Sequence, residues 1–336
     1  MNRTRVEHLL RSFSSKRLLV IGDLMLDEFI WGNVKRISPE APVPVVEVDR
    51  ESFFPGGAAN VARNLREFGS HVHIIGMIGA DSHGDHLKKL LAAESIDTDC
   101  VQQIAGYPTI VKTRIIARHQ QIVRVDREKK IGLTPDQAAH VLRQLDAVMP
   151  EIDAIIFEDY AKGLLTQELV SEITSRANKA GKIITVDPNP GSRVAWHLVT
   201  GVTPNRSEAF GAARHAHSDP VEPVENDTAL LEVGATLLKK WVPDNLLITL
   251  GEQGMMLFRR NEKPFHIPTR AREVFDVSGA GDTAIALFTL ALCAGATPPE
   301  AAEISNHAAG IVVGKLGTAT VTPAELIGSF ENHAGA

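Results

Sequence analysis

Short apolar runs rich in β-branched residues recur along the chain: Arg17-Leu-Leu-Val-Ile21, Val72-His-Ile-Ile75, Ala154-Ile-Ile-Phe157, Lys182-Ile-Ile-Thr-Val186 and Leu246-Leu-Ile-Thr-Leu250. Runs of this length without polar alternation predict strands buried on both faces, as in a parallel sheet. Between them lie helical patterns over residues 59–68, 84–93, 134–149, 166–180, 228–240 and 282–294. Phe68-Gly69 and Ala180-Gly181 supply helix stops. This alternation predicts a doubly wound α/β fold, a mostly parallel sheet flanked by helices.

Two segments break the rhythm. Residues 31–49 carry Pro39, Pro42 and Pro44, then Val45-Val-Glu-Val48, and residues 110–125 alternate β-branched with charged positions in Val111-Lys-Thr-Arg-Ile115. Both read as hairpin-like antiparallel strands outside the main sheet, forming either a small β-layer that acts as a lid or an extension of the sheet edge. No repeat, low-complexity tract or linker divides the chain, so a single domain over residues 1–330 is expected, with 31–49 and 110–125 inserted in it. The polar stretch 211–227, with Pro220 and Pro223, reads as a surface loop.

Composition narrows the function. The 336 residues carry 35 Lys plus Arg against 41 Asp plus Glu, a net charge of -6 with no basic block, which disfavours a polyanion binder. Aromatics at 5% argue against an aromatic-lined nucleic-acid reader. The longest strongly apolar stretch, 283–294, is shorter than the ~20 residues that span a bilayer, and no signal peptide is evident. Two cysteines, Cys100 and Cys293, suit a reducing cytosol, and a cytoplasmic protein is expected. The near pairs of histidine lack a third ligand close by, so no zinc site is expected.

Three places carry chemistry. In Asp276-Val-Ser-Gly-Ala-Gly-Asp-Thr283, small residues open an apolar helix, so that backbone N–H groups at Gly279, Ala280 and Gly281 suit an anion. Asp282 in that setting is a candidate general base; the same residues also describe a tight turn with Asp282 as N-cap. In Phe54-Pro-Gly-Gly-Ala-Ala-Asn60, Gly56 and Gly57 allow close backbone approach and Asn60 offers donor and acceptor, which suits a polyhydroxylated ligand or a plain strand-to-helix turn. In Gly22-Asp-Leu-Met-Leu-Asp27, the carboxylates follow the first strand, where open α/β sheets form their crevice, or serve as caps.

In this order and spacing the three motifs resemble the ribokinase-like (PfkB-type) carbohydrate kinases, over about residues 15–327. Thr203-Pro-Asn-Arg-Ser-Glu208, Thr249-Leu-Gly-Glu-Gln-Gly254 and Asp187-Pro-Asn189 match further segments of that family. Within it, Arg36-Ile-Ser-Pro-Glu-Ala-Pro-Val-Pro-Val-Val46, Pro55-Gly-Gly-Ala-Ala-Asn-Val-Ala62 and Asp159-Tyr-Ala-Lys-Gly163 are similar to the heptose 7-phosphate kinases. The resemblance implies a ribokinase-like fold with a β-layer lid. It implies phosphorylation by ATP, with Mg²⁺, of the anomeric hydroxyl of D-glycero-D-manno-heptose 7-phosphate, in ADP-heptose and lipopolysaccharide synthesis. It further implies a homodimer paired through the lids, with a small-molecule sugar phosphate, not nucleic acid or membrane, as partner. Bifunctional relatives add a nucleotidyltransferase with a His-x-Gly-His signature; none occurs in these residues, so a kinase alone is expected. Asp187-Pro-Asn-Pro190 stands where many heptose kinases read Asp-Pro-Lys-Gly, which removes a lysine there.

The resemblance also assigns roles. Asp27, Gly56, Gly57 and Asn60 would hold sugar hydroxyls, Asp282 would take the proton, and Gly279, Ala280 and Gly281 would stabilise developing charge. Asn205 and Glu208 would organise Mg²⁺, with Glu208 acting through water. Thr249, Gly251, Gly254 and Asn306 would line the nucleotide, together with Asn205 and Glu208. Asp276 and Ser278 fall where relatives place a monovalent cation. Because the implied substrate carries a phosphate, Lys112, Arg114, Arg118, Arg124 and Lys162 are candidates to bind it, two of the five being expected to touch it. Rival readings are another PfkB-type kinase acting on a ketose, ribose or nucleoside, and a catalytically silent sugar-binding relative. Intact Asp282 and its Gly-Ala-Gly segment disfavour the latter. A dinucleotide-binding dehydrogenase is weaker still, since no Gly-x-Gly-x-x-Gly follows the first strand.

Overall fold

A computed structural model describes residues 1–118, 120–270 and 274–330. The chain opens with α1 (Arg3–Phe13), β1 (Arg17–Gly22), β2 (Leu24–Ile37), β3 (Pro44–Gly57), α2 (Ala58–Glu67), β4 (His71–Gly79) and α3 (Ser82–Ala93). It continues with β5 (Val101–Ile104), β6 (Ile110–Ala117), β7 (Gln120–Arg127), α4 (Pro135–Val148), β8 (Ala154–Glu158), α5 (Gln167–Lys179), β9 (Ile183–Asp187) and β10 (Gly201–Val202). Next come α6 (Arg206–Ala213), α7 (Thr228–Trp241), β11 (Asn245–Thr249), β12 (Met255–Arg259), β13 (Phe265–Ile267), α8 (Ala280–Cys293), α9 (Pro298–Val312) and α10 (Pro323–Ser329). All five expected strands and all six expected helices are present with shifted ends. The 211–227 loop is shorter than expected, because α6 occupies its start.

The large sheet runs β13-β12-β11-β10-β9-β8-β1-β4-β5 and is parallel from β5 to β11, with β12 and β13 antiparallel. Its strands are apolar on both faces because each face is covered. Leu18 and Val20 join a core with α1, α2, α8 and α9, while Leu19 and Ile21 join one with α4, α5 and α7. Helix α8 is buried from Asp282 through Ala291, so it lacks a solvent-facing stripe and reads as apolar all round. Among the described residues no helix is long and apolar enough to cross a membrane.

The second sheet runs β3-β2-β6-β7. Its strands reach beyond 31–49 and 110–125, and it is not simply two hairpins. β2 and β3 pair antiparallel from Leu24↔Gly57 out to Ile37↔Pro44, β6 and β7 pair antiparallel, and β2 and β6 lie parallel and join the two ribbons. The root of β2, Leu24 to Asp27, is buried, while its tip and all of β7 are exposed.

Candidate active site

β1, β8 and β9 end in register: Gly22 opposes Glu158, and Glu158 opposes Asp187. The chain leaves β1 for β4 on one side and later returns to β8 on the other, so the strand order reverses here, where an open α/β sheet forms its crevice. Space is tight: a Cβ on Gly22 would lie 2.3 Å from the Glu158 carbonyl oxygen. Glu158 and Asp187 emerge side by side, and the first turn of α8 brings Asp282 to them. One carboxylate oxygen from each lies within 4.8 Å of the other two. Glu158 is 1% exposed, and its Oε2 has no hydrogen-bond partner among the described residues. Burial first, then the neighbouring carboxylates, pushes Glu158 and Asp187 well above the usual carboxylate range. Buried oxygens crowded like this, one of them orphaned, match the ligand preference of a hard divalent cation.

Asp282 is the third residue of α8, not its N-cap; that place belongs to Gly279, at φ +81°. Asn60 Nδ2 donates to Asp282 Oδ2 at 2.7 Å and the Tyr160 hydroxyl to Oδ1 at 3.0 Å. Burial raises the Asp282 carboxyl to about 6 in spite of both donors. Helix α2 presents Asn60 and, one turn on, Asn64, whose Oδ1 accepts from Thr283 Oγ1 at 2.9 Å, so α2 and α8 are locked in register. Gly279 is required by this packing as well as by its φ: a Cβ there would lie 2.8 Å from Asn60 Nδ2. Ala280 N–H donates to Val277 O and Thr283 N–H to Gly279 O, which leaves the N–H groups of Gly281 and Asp282 without a backbone partner among the described residues, at the helix start.

Facing Asp282 are the roots of the small sheet. Asp27 is 4% exposed and ion-paired with Arg114 across β2 and β6. Gly56 lets β3 pass it, since a Cβ would lie 2.3 Å from Asp27 Oδ2, and Gly57 turns into α2 at φ +58°. Lys112 Nζ stands 5.2 Å over the Tyr160 ring, and burial lowers its pKa. Of the five candidate cations, Arg114 pairs with Asp27 and Lys112 lies near Asp27 and Asp282, with Lys162 and Arg124 close enough to Lys112 to help lower its pKa. Lys162 Nζ pairs with Glu128 at 2.8 Å, Arg124 pairs with Asp126 on exposed β7, and Arg118 lies exposed past the end of β6. Lys112 and Arg114 share the face of Asp27, and the register sets Arg124 opposite Arg114 on that same face, one strand further out.

Beyond Gly281 lies a cleft of about 440 Å³, lined by the expected Thr249, Gly251, Gly254 and Asn306 and by apolar Val277 and Val313. Asn306 Nδ2 donates to Pro268 O at 2.8 Å. Asn205 and Glu208 do not line it. They form the capping box of α6, with Asn205 Oδ1 accepting from Glu208 N–H and Glu208 Oε2 from Asn205 N–H. Glu208 is nonetheless close enough to Asp187 to raise its pKa. Asp276 accepts from the N–H groups of Ser278 at 2.9 Å and Gly317 at 3.1 Å. Glu158 and Tyr160 have no assigned role in the sequence reading, and Asp23 is read there only together with Asp27, as a carboxylate after the first strand. Asp23 is 3% exposed, and its Oδ2 accepts from Tyr160 N–H at 3.1 Å and Lys162 N–H at 3.0 Å. The available signal was their position at the C-terminal ends of β1 and β8.

The architecture recurs in solved structures. The ribokinase of Arabidopsis thaliana complexed with ribose and ATP matches 94% of this chain and 99% of its own, with a TM-score of 0.70 and 18% identity. Phosphofructokinase-2 of Escherichia coli, in complex with potassium, matches 94% and 98%, with a TM-score of 0.74 and 19% identity. The fold is therefore ribokinase-like, a large mostly parallel sheet with a small sheet as lid. Sequence carries this to a family: the model of the pfkB family carbohydrate kinases matches residues 15–325, and the chain belongs to that family. It is a carbohydrate kinase. Among its relatives, the bifunctional protein HldE of Trichlorobacter lovleyi is 43% identical over 327 residues, 97% of this chain and 65% of that protein. The bifunctional protein HldE of Magnetococcus marinus is 45% identical over 325 residues, 95% of this chain and 65% of that protein. The chain thus spans slightly less than two thirds of the length of these relatives.

Proposed function

We propose that the chain transfers the γ-phosphoryl group of ATP to the anomeric hydroxyl of D-glycero-D-manno-heptose 7-phosphate, giving the 1,7-bisphosphate for ADP-heptose and lipopolysaccharide synthesis. The observation that carries the reading is the place of Asp282. A buried carboxylate held by Asn60 and Tyr160 stands between the ~440 Å³ cleft and the Asp27–Arg114 pair. The 43% identity to HldE, the Arg36–Val46 run and Asp159-Tyr-Ala-Lys-Gly163 support the heptose.

Asp282 accepts the proton of the hydroxyl as its oxygen bonds to the γ-phosphorus and the bond to the β–γ bridging oxygen breaks. The open N–H groups of Gly281 and Asp282, at the positive end of α8, stabilise charge on the transferring group; Ala280, whose N–H is engaged, contributes less. Asp27 and Asn60 orient sugar hydroxyls, with Gly56 and Gly57 allowing the close approach. Lys112 and Arg114 supply the charge for the 7-phosphate. Mg²⁺, which Glu158 and Asp187 would hold with Glu208 behind them, neutralises phosphate charge when bound. A monovalent cation at Asp276 and Ser278 belongs to the same reading. The exposed apolar positions Ile122, Val123 and Val125 on β7, with Val48 on β3, suit pairing of two lids in a cytoplasmic homodimer.

A coupled assay of ADP release against heptose 7-phosphate, the unphosphorylated heptose, fructose and ribose tests this, with phosphorus NMR of the product. Preference for a neutral sugar would overturn the substrate, because Lys112 and Arg114 offer charge-assisted hydrogen bonds that only a phosphorylated sugar can use.

A further inference from the structure

The structure assigns to Tyr160 the role of positioning residue for Asp282: its hydroxyl fixes the orientation of the carboxylate, and Asp23 holds Tyr160 in place. The inference rests on the reading of Asp282 as proton acceptor. A carboxylate on the first turn of a helix turns about a broad, two-fold torsion, and one hydrogen bond does not set its plane. Here each oxygen has its own donor, Asn60 on Oδ2 at 2.7 Å and Tyr160 on Oδ1 at 3.0 Å. The two donors come from different elements, helix α2 and the turn after β8, so together they define the plane. A carboxylate offers about four acceptor sites, so lone pairs remain for the sugar hydroxyl.

The Tyr160 backbone is equally constrained. Its N–H and that of Lys162 both donate to Asp23 Oδ2, and Ala161 between them has φ +57° and donates to Asp159 Oδ1 at 2.8 Å. Lys112 stands over the ring and steadies it from the sugar side. A phenol is protonated at neutral pH, so the hydroxyl is available to donate to Asp282.

The test is Tyr160→Phe, which keeps the ring and the Lys112 contact and removes one hydrogen bond. A hydrogen bond to a charged group predicts a fall in kcat of about 10- to 100-fold, with ATP affinity by calorimetry little changed and a modest drop in melting temperature from the donor lost at Asp282 Oδ1. Asp282→Asn and the double variant complete a cycle: in the Asn background, Tyr160→Phe should cost little further, whereas a merely structural role would cost the same in both backgrounds. Asp23→Ser, which loosens the turn, should reproduce part of the kcat loss. Normal kcat in Tyr160→Phe beside an inactive Asp282→Asn overturns the inference alone. Normal kcat in Asp282→Asn overturns the proton-acceptor reading instead. A rise in KM for the sugar with kcat intact would make Tyr160 a substrate contact and also refute it.

Discussion

Asp282→Asn should harm the enzyme and stabilise the protein at once. In the folded chain burial lifts this carboxyl from 3.8 to about 6. Between those values the folded state keeps a proton that the unfolded chain has lost. Stability therefore declines as pH rises through that window and stays low above it. The shift is roughly two units, and at about 1.4 kcal/mol per unit the ionised carboxylate costs on the order of 3 kcal/mol at neutral pH. An amide removes that cost. It offers one oxygen, which Asn60 can keep, and an NH₂ that faces a Tyr160 hydroxyl able to turn and accept. The net gain should be about 1–3 kcal/mol at pH 8, fading towards pH 4. Glu158 and Asp187 are raised in part by the Asp282 charge, so the variant relaxes them as well and the difference from wild type reports the three carboxylates as a unit. Calorimetric unfolding of both proteins from pH 4 to 8, without nucleotide or metal, measures it. Turnover should meanwhile drop by about 100-fold or more, because the proton acceptor is gone. Parallel stability curves would refute the raised pKa, and near-normal turnover would refute the catalytic assignment.

Other outcomes follow from the same geometry. The rate at limiting sugar should fall about tenfold per pH unit below about pH 6, as Asp282 takes up its proton, in a pH–rate profile corrected for inactivation. Gly279→Ala should lose about 1–2 kcal/mol of stability in chemical denaturation from the left-handed φ; by pressing on Asn60 it should also lower kcat. Arg114→Met leaves Asp27 buried without its cation and should cost about 3 kcal/mol while raising KM for the sugar phosphate more than for ATP. Glu158→Gln should raise the Mg²⁺ concentration needed for half-maximal turnover; an unchanged Mg²⁺ titration would remove Glu158 from the metal site.

What the sequence disclosed depended on how local each signal was. The five apolar runs became strands within a few residues because a strand covered on both faces has no other pattern. Helices α1, α6, α9 and α10 and strands β5, β10, β12 and β13 escaped notice: β10 has two residues, and α6 has hardly any amphipathic contrast. The root of β2 was hidden for the opposite reason, since Leu24 to Asp27 are all buried and only the polar tip alternates. At the site, Asp282 and Asn60 were legible because glycines or small residues flank them, and Asp27 because it follows the first strand. Glu158 and Tyr160 were not, since each ends or follows an apolar strand and its meaning depends on the register of β8 with β1 and β9. Asn205 and Glu208 were found, but their spacing of three also makes a capping box, and the fold uses it as one.

The β2–β3 ribbon leaves the molecule and returns at one point, the Leu24↔Gly57 pair, beside Asp27 and Gly56. Its far end, the turn between Ile37 and Pro44, lies roughly 40 Å away along the strands. Insertions, deletions or substitutions at that end leave both anchor points untouched. Natural variation can therefore rework the far end of the ribbon while the phosphoryl-transfer machinery stays under separate constraint. The enzyme is in this sense modular within a single chain: acceptance of new substrates and preservation of chemistry are written in different stretches, joined by a few residues that must serve both.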